Sequence, residues 1–161
     1  MLYRLYQPGD FAALYAVEEL CFQPPARFPR ATMRSLVNSP NAATWIAEEN
    51  AELAGFAIVV WEKAPAKEPR AAYIETVEVA PGHRERGVAG ELLHRVEDSA
   101  RAAGAEAIWL HVDAENTAAV RLYERRGYAK QGREEHYYAR NRAALIYTKP
   151  LAIASGSRSA P

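Results

Sequence analysis

One segment constrains the fold of this 161-residue chain more than any other, because it passes from strand to helix within a few residues. The stretch from Ala71 to Ala80 is rich in Ile, Thr and Val, as strands are, and Pro81-Gly82 ends it. A basic turn follows, and a helix begins near Gly87 with almost no side chains in its first turn. The unpaired amides of such a helix N-terminus favour a phosphate or pyrophosphate. The alternative is that the glycines only let the helix pack closely on the strand.

The turn carries two arginines, Arg84 and Arg86, which we expect to add mobile positive charge beside the helix start. Two common phosphate motifs do not fit it. A P-loop needs Gly-Lys followed by Ser or Thr, and the dinucleotide fingerprint needs Gly-x-Gly-x-x-Gly. The segment therefore predicts an anion site of another kind.

Length and charge exclude several classes of protein. The chain is long enough for one domain with a single core. Its 20 basic and 20 acidic side chains leave no net charge, which argues against a nucleic acid or membrane surface as partner. Cys21, the one cysteine, can form neither an internal disulfide nor a cysteine metal site, which favours a reducing compartment. The longest apolar run, 53–61, falls short of a membrane helix, and the N-terminus does not resemble a signal peptide, so we expect a cytoplasmic protein.

Hydrophobic periodicity divides the chain into alternating elements. We predict strands at 2–7, 44–48, 53–61, 71–80, 107–112, 128–133 and 143–149. We predict helices from Asp10 to Cys21, at 30–38, from near Gly87 to Gly104, and at 117–126. Proline-containing breaks are expected at 23–29 and 63–70, and a disordered tail at 152–161. The order of elements indicates a mixed α/β domain with helices packed on a sheet.

Two ordered motifs resemble those of the GNAT acetyltransferase superfamily. The first, Arg84-x-x-Gly87-x-Ala89, resembles the acyl-coenzyme A binding motif, although the family most often has Gln where this chain has Arg84. The second, in segment 116–128, resembles the superfamily's later block and contains Asn116 and Leu122-Tyr123. The segments Glu18-x-x-Cys21-Phe22 and Tyr137-Tyr138 are similar to those of the branch that acetylates protein N-termini, including the ribosomal-protein-alanine acetyltransferases.

The resemblance implies a fold and a cofactor. The fold is a single GNAT-like domain over residues 1–151, with a mostly antiparallel sheet of about seven strands, about four flanking helices, and a splay between the fourth and fifth strands. The co-substrate is acetyl-CoA, and no metal is expected. The residues implied to hold its pyrophosphate, mainly through backbone amides, are Arg84, Arg86, Gly87, Val88, Ala89 and Gly90. Val77 and Val79 would pair with the pantetheine arm, and Asn116 would hydrogen-bond the cofactor.

The resemblance also implies catalytic roles. Tyr123 would protonate the leaving thiolate, and Tyr73 with His111 would deprotonate the amine through an ordered water. Tyr73 and Glu75 could also be ordinary strand residues, which alternation would place on one face, and Glu75 is a spare base if that face is turned to the cleft. The ribosomal-protein branch tends to carry Glu where this chain has His111, which leaves the substrate branch open. His111 could instead be a hydrogen-bonded strand histidine, and Tyr123 could belong to the core.

The sequence says less about which residues bind the acceptor amine. Tyr137, Tyr138 and Phe28 could be packing or an acceptor-pocket wall, and the polar residues around the two tyrosines favour a loop in the pocket. An α-amine with a pKa near 7.7–8.0 costs about 1 kcal/mol to deprotonate at pH 7, and a lysine about 4.6 kcal/mol, so a weak base suffices for an N-terminus.

We therefore expect an N-acetyltransferase that acts on the N-terminal α-amine of a protein or peptide, as a monomer or homodimer. The alternatives are an acetyltransferase for a small amine or amino acid and a non-catalytic module that binds acyl-CoA. A sensor of that kind would need only the amides at the helix start, whereas Tyr73, His111 and Tyr123 favour catalysis.

Overall fold

The computed structural model describes residues 1–62 and 70–152 of the chain. It contains a seven-stranded mixed sheet with four α-helices. The strands are β1 (Leu2–Leu5), β2 (Ala42–Glu49), β3 (Glu52–Trp61), β4 (Ala71–Val79), β5 (Ala107–Asp113), β6 (Ala129–Ala139) and β7 (Arg142–Pro150). The helices are α1 (Phe11–Cys21), α2 (Arg30–Asn38), α3 (Val88–Ala102) and α4 (Thr117–Arg125). The expected fold class is confirmed.

The sheet order is β1-β2-β3-β4-β5-β7-β6, and every neighbouring pair is antiparallel except β4 and β5. The first hairpin turns through Asn50 and Ala51, both with positive φ, which matches the right-handed twist of its strands. The helix α3 makes the crossover between the two parallel strands and packs on β2, β3 and β4.

The sheet has a core on each face. Alternate residues of β3 point to opposite sides, so that Ala57 and Val59 belong to the larger core and Phe56 and Ile58 to the smaller. The larger core contains the apolar residues of α3 and Tyr123 of α4. The smaller contains those of α1 and Met33 of α2. The sheet is therefore covered on both faces, and its middle strands are buried.

Most element boundaries agree with the predicted ones within one or two residues, but β6 does not. It was predicted to end at Arg133 and instead runs to Ala139, so Tyr137 and Tyr138 lie in a strand and not in the expected loop. The polar residues after Arg133 indicated a loop, but β6 is an edge strand of the sheet, where exposed polar side chains are tolerated. The predicted tail beyond Ala152 and most of the break at 63–70 lie outside the described residues.

Candidate active site

The site is organised by a fork between β4 and β5. The two strands pair through only three residues each, Ala71–Tyr73 with Ala107–Trp109. From Ile74 onward β4 pairs only with β3, while β5 continues beside β7. The diverging strands open a cleft of about 670 Å³, which is also lined by α1, the loop after it, α4 and β6. The expected splay between the fourth and fifth strands is thus present.

A β-bulge at Glu75 changes which side chains face the cleft. Ile58 pairs with Thr76 and Val59 with Ile74, so Glu75 is an extra residue in β4. Ile74 and Val77 both pack with the larger core although they are three residues apart, which an unbroken strand does not allow. Glu75 remains close enough to Tyr73 for its charge to raise the pKa of that phenol, so the expected shared face stays a prediction. Glu75 lines the cleft, where burial raises the pKa of its carboxyl.

The turn at residues 84–90, which we call the glycine turn, lies at the open end of the fork and leads into α3. Gly87 is the N-cap of α3 with φ of +80°, a conformation that side chains rarely adopt, and a Cβ there would meet no atom within 4 Å. In the described part of the chain no side chain caps α3, so the amides of its first turn are left without a side-chain acceptor. The backbone geometry is that of an anion site.

The two arginines of the glycine turn are held by protein partners, contrary to the expected mobile charge. Arg84 donates from Nε to the Val79 carbonyl at 2.9 Å, and its Nη2 lies 3.5 Å from Cys21 Sγ. Arg86 binds Glu49 through two hydrogen bonds of 2.9 and 2.7 Å, which lower the pKa of that carboxyl. Both contacts are solvent-exposed and therefore weak.

Gly90 has a different role from Gly87. A Cβ on Gly90 would overlap Nη2 of Arg126, whose guanidinium rests on the first turn of α3. Gly90 therefore makes room for Arg126. Nothing in the motif signalled Arg126, because the contact joins α3 to the end of α4.

Three further residues with an expected cofactor role border the cleft or its edge. Val77 and Val79 are half-buried against the larger core, on the part of β4 that pairs with β3 alone. Asn116 lies in the cleft as the N-cap of α4, where its Oδ1 accepts from the Ala119 amide at 3.1 Å and its side-chain NH₂ remains a donor. These positions agree with a groove that begins at the glycine turn.

Tyr123 lies on the wall formed by α4. Its side chain is 7% exposed and lines the cleft, and its ring meets that of Tyr128 edge-on at 5.5 Å. Burial raises the pKa of the Tyr123 phenol, so it is protonated at neutral pH. Within the described ranges its hydroxyl makes no hydrogen bond, whereas the Tyr128 hydroxyl donates to Glu97 at 2.8 Å. Tyr123 is therefore a proton donor without a structural partner.

His111 also lines the cleft, and it belongs to a cluster that we call the relay cluster, formed by Tyr73, His111, Glu134 and Tyr137. The Tyr73 hydroxyl is 2.8 Å from His111 Nδ1, and His111 Nε2 is 3.1 Å from Glu134 Oε1. The ring of Tyr137 stacks on His111 at 4.3 Å. The structure thus joins Tyr73 and His111, as the sequence suggested, and adds two residues of the misassigned strand β6.

The surroundings of Tyr73 keep its hydroxyl protonated. Burial, followed by the neighbouring Tyr137 and Glu75, raises its pKa far above the ordinary value. Tyr138 lines the cleft, and burial raises its pKa as well. Phe28 also lines the cleft, where its backbone carbonyl accepts from the Tyr15 hydroxyl at 2.6 Å. Both Tyr138 and Phe28 are wall residues, which fits the pocket interpretation for Tyr138.

A buried carboxyl pair joins Glu18 of α1, which lines the cleft, to Glu78 of β4. The sequence marked Glu18 only as part of a motif and gave no sign of the pair. The two side chains are 0% and 3% exposed. Glu18 accepts from the Phe28 amide at 2.9 Å, and Glu78 accepts from the Thr76 hydroxyl at 2.6 Å. Burial and the hydrogen bond to Glu18 raise the pKa of Glu78. One oxygen of each carboxyl has no other partner among the described residues, and a proton held between them satisfies both.

The described residues contain no group of three His, Cys, Asp or Glu side chains that could hold a metal ion. No helix in the same ranges is long and apolar enough to cross a membrane.

Comparison with known proteins shows which proteins this chain resembles. The sequence resembles streptothricin acetyltransferase of Streptomyces lavendulae, with 40% identity over 87 residues, which are 54% of this chain and 44% of that protein. It also resembles N-alpha-acetyltransferase MAK3 of Arabidopsis thaliana, with 33% identity over 82 residues, 48% of this chain and 43% of that protein. The matched region thus spans less than half the length of either relative.

The fold is shared with solved acetyltransferases. The ribosomal-protein-S18-alanine N-acetyltransferase of Escherichia coli superposes with a TM-score of 0.80 at 23% identity over 95% of both chains. Arabidopsis thaliana NAA60 in complex with a bisubstrate analogue superposes with a TM-score of 0.81 at 22% identity, over 95% of this chain and 99% of that one. The family model of the GNAT acetyltransferases matches residues 11–128. The chain belongs to the GNAT acetyltransferase family.

Proposed function

We propose that this protein transfers an acetyl group from acetyl-CoA directly to an amine, with the N-terminal α-amine of a protein or peptide as the acceptor. One observation carries the proposal: the β4–β5 fork has uncapped helix amides at its open end and proton-handling side chains on its walls. The solved relatives include NAA60 bound to acetyl-CoA and a NatC complex bound to a peptide and CoA. The reducing compartment suggested by the lone cysteine supports a cytoplasmic location.

The glycine turn has the features that an acyl-CoA needs. The amides of the first turn of α3 would hold the pyrophosphate, and the open space at Gly87 lets backbone approach it. The part of β4 that pairs on one side only would receive the extended pantetheine, as a strand edge receives a peptide. Acetyl-CoA supplies a thioester to this cleft when it is bound.

Side chains on the walls of the cleft would carry out the proton transfers. Tyr123 holds its proton at neutral pH, and its hydroxyl has no hydrogen-bond partner in the part of the chain that the structure describes, so we assign it as the acid for the departing thiolate. Tyr73 is too weak an acid to lose its proton alone, but with His111 it can pass a proton onward. We assign Tyr73 and His111 as the base for the amine. Glu75 is the competing base, because its raised pKa makes it a better proton acceptor than an ordinary carboxylate.

The acceptor follows from the strength of that base. Deprotonating an α-amine at pH 7 costs about 1 kcal/mol, whereas a lysine costs about 4.6 kcal/mol. A neutral imidazole assisted by a phenol can deprotonate the α-amine, which has the lower free-energy cost, more readily than it can deprotonate a lysine. A small-molecule amine is the second candidate, favoured by the 40% identity to streptothricin acetyltransferase.

Release of CoA from acetyl-CoA, with product masses, tests these assignments. The acceptors are a lysine-free peptide with a free N-terminus, the same peptide blocked at the N-terminus with one internal lysine, and a small diamine. We expect the free N-terminus to be acetylated preferentially. Faster modification of the blocked lysine peptide would refute the acceptor, and preference for the diamine would establish the second candidate. Binding of acetyl-CoA without transfer to any acceptor would favour a non-catalytic module.

Two variants separate the bases. His111→Ala should abolish most of the transfer, while Glu75→Gln should retain it. The reverse pattern would show that Glu75 is the base.

A further inference from the structure

Among residues 1–62 and 70–152, Glu134 is the one charged group that contacts His111 on the side away from Tyr73. It comes from β6, and its side chain is 48% exposed, while that of His111 is 10% exposed. The contact is made by Glu134 Oε1 and His111 Nε2 at 3.1 Å. Because the strand was expected to stop at Arg133, neither the motifs nor the family roles pointed to this residue.

The contact fixes where the imidazole proton lies. A carboxylate can only accept a hydrogen bond, so His111 Nε2 must carry the hydrogen. In the neutral ring Nδ1 is then a bare acceptor, and the Tyr73 hydroxyl 2.8 Å away must be the donor. The opposite tautomer would place the Nε2 lone pair against the carboxylate of Glu134.

We infer that Glu134 is a positioning residue, which holds His111 in the Nε2–H tautomer and completes a proton relay from Tyr73 through His111. In the proposed function, on which this inference rests, a proton leaves the acceptor ammonium for the Tyr73 oxygen. The original Tyr73 proton moves to Nδ1, so one N–H bond breaks and one forms. The imidazolium that results keeps its Nε2–H bonded to Glu134, and no electrons are transferred. Tyr137, stacked on the ring, fixes its plane.

The titratable groups around the relay set its pH dependence. They are Tyr73 and Glu75 on β4, and Glu134, Tyr137 and Tyr138 on β6. Glu134 is the member whose charge stabilises the protonated ring directly. Removing that charge should weaken the hydrogen bond to His111 Nε2 and lower the rate of the relay.

The first experiment measures the tautomer in the resting protein by histidine ¹⁵N NMR, which needs no substrate. The chain has four histidines, and the His111→Gln variant identifies the signal. We expect the Nε2–H tautomer in the wild type and a mixture of tautomers in Glu134→Ala. An Nδ1–H tautomer in the wild type would overturn the inference.

The second experiment measures kcat/KM against pH. Glu134→Ala should lower it by about tenfold, a value at the small end for such networks because Glu134 is half-exposed. Glu134→Gln keeps an acceptor but not the charge, so it should retain the tautomer that Glu134→Ala loses. The matched control is Glu135→Gln, whose side chain pairs with Arg133 and not with the relay cluster. Equal profiles for Glu134→Ala and Glu135→Gln would refute the inference.

The two experiments distinguish a failure of the inference about Glu134 from a failure of the proposed function. A wild-type Nε2–H signal that is lost in Glu134→Ala, in a protein that acetylates no acceptor, would support the positioning role and refute the activity. If the wild type transfers the acetyl group and Glu134→Ala changes neither the tautomer nor kcat/KM, the activity is supported and the positioning role is refuted.

Discussion

The two sides of the β4–β5 fork present different chemical groups, backbone amides on one side and side chains on the other. The glycine turn is contiguous in sequence, exposes its backbone amides and has its arginines held by protein partners at the surface. The relay cluster and the carboxyl pair join β4, β5, β6 and α1, and they are made of side chains, which are buried in the carboxyl pair and half-exposed at Glu134. Damage to the glycine turn should therefore appear in cofactor affinity, and damage to the other side in rate and pH dependence.

The largest effect is expected at Gly87. A valine there would have to adopt a φ of +80° and would place its methyl groups where the amides of α3 are exposed. We expect Gly87→Val to weaken acetyl-CoA binding about 100-fold, measured by calorimetry. The control is Gly82→Val in the preceding 3₁₀ turn, where a Cβ also meets nothing within 4 Å but φ is not positive. Unchanged affinity in Gly87→Val would remove the glycine turn from the binding site.

A smaller effect, on rate and not on affinity, is expected at Tyr123. Tyr123→Phe retains the packing and removes only the proton, so kcat should fall by about tenfold or more while acetyl-CoA affinity is kept. Tyr128→Phe is the matched control. It loses the hydrogen bond to Glu97 and should lower the free energy of unfolding by about 1–3 kcal/mol with little change in kcat. Equal kcat for wild type and Tyr123→Phe would exclude the acid role.

The same contrast explains what the sequence could predict. The glycine turn was recognisable because its residues are neighbours in the chain and its chemistry is that of the backbone. The link between Tyr73 and His111 could be proposed only through the family resemblance, since the two residues lie on different strands. Glu134 could not be found, because an edge strand carries no hydrophobic pattern to mark its length. The bulge at Glu75 was missed because it depends on pairing with β3.

The pH dependence of the free energy of unfolding should show whether the carboxyl pair, Glu18 and Glu78, holds a shared proton. The pKa of Glu78 is raised in the folded protein, so between the ordinary carboxyl pKa of about 4.3 and the raised value the folded state holds a proton that the unfolded state has lost. The stability from that proton is complete in acid and is lost as the pH rises through the folded pKa. One proton corresponds to a slope of up to about 1.4 kcal/mol per pH unit.

Glu78→Gln should flatten that slope, because an amide can donate permanently to Glu18 where the wild type needs a proton. We expect the variant to gain stability relative to wild type between pH 6 and 8, as measured by urea denaturation at several pH values. The control is Glu19→Gln, an exposed neighbour on α1. Parallel pH profiles for wild type and Glu78→Gln would show that the pair shares no proton.

The smallest effect is expected at Gly90, and it decides how far the glycine turn extends as a binding surface. An added Cβ meets the end of the flexible Arg126 side chain, which can move aside, and alanine is favoured over glycine in a helix by up to about 1 kcal/mol. Gly90→Ala should therefore leave the melting temperature unchanged or slightly raised, and should change acetyl-CoA affinity by less than about threefold. The double variant Gly90→Ala/Arg126→Ala removes the contact and should show no further change in affinity. If Gly90→Ala weakens binding as much as Gly87→Val does, the first turn of α3 is occupied by the cofactor at Gly90 as well, and the steric role assigned to that glycine is wrong.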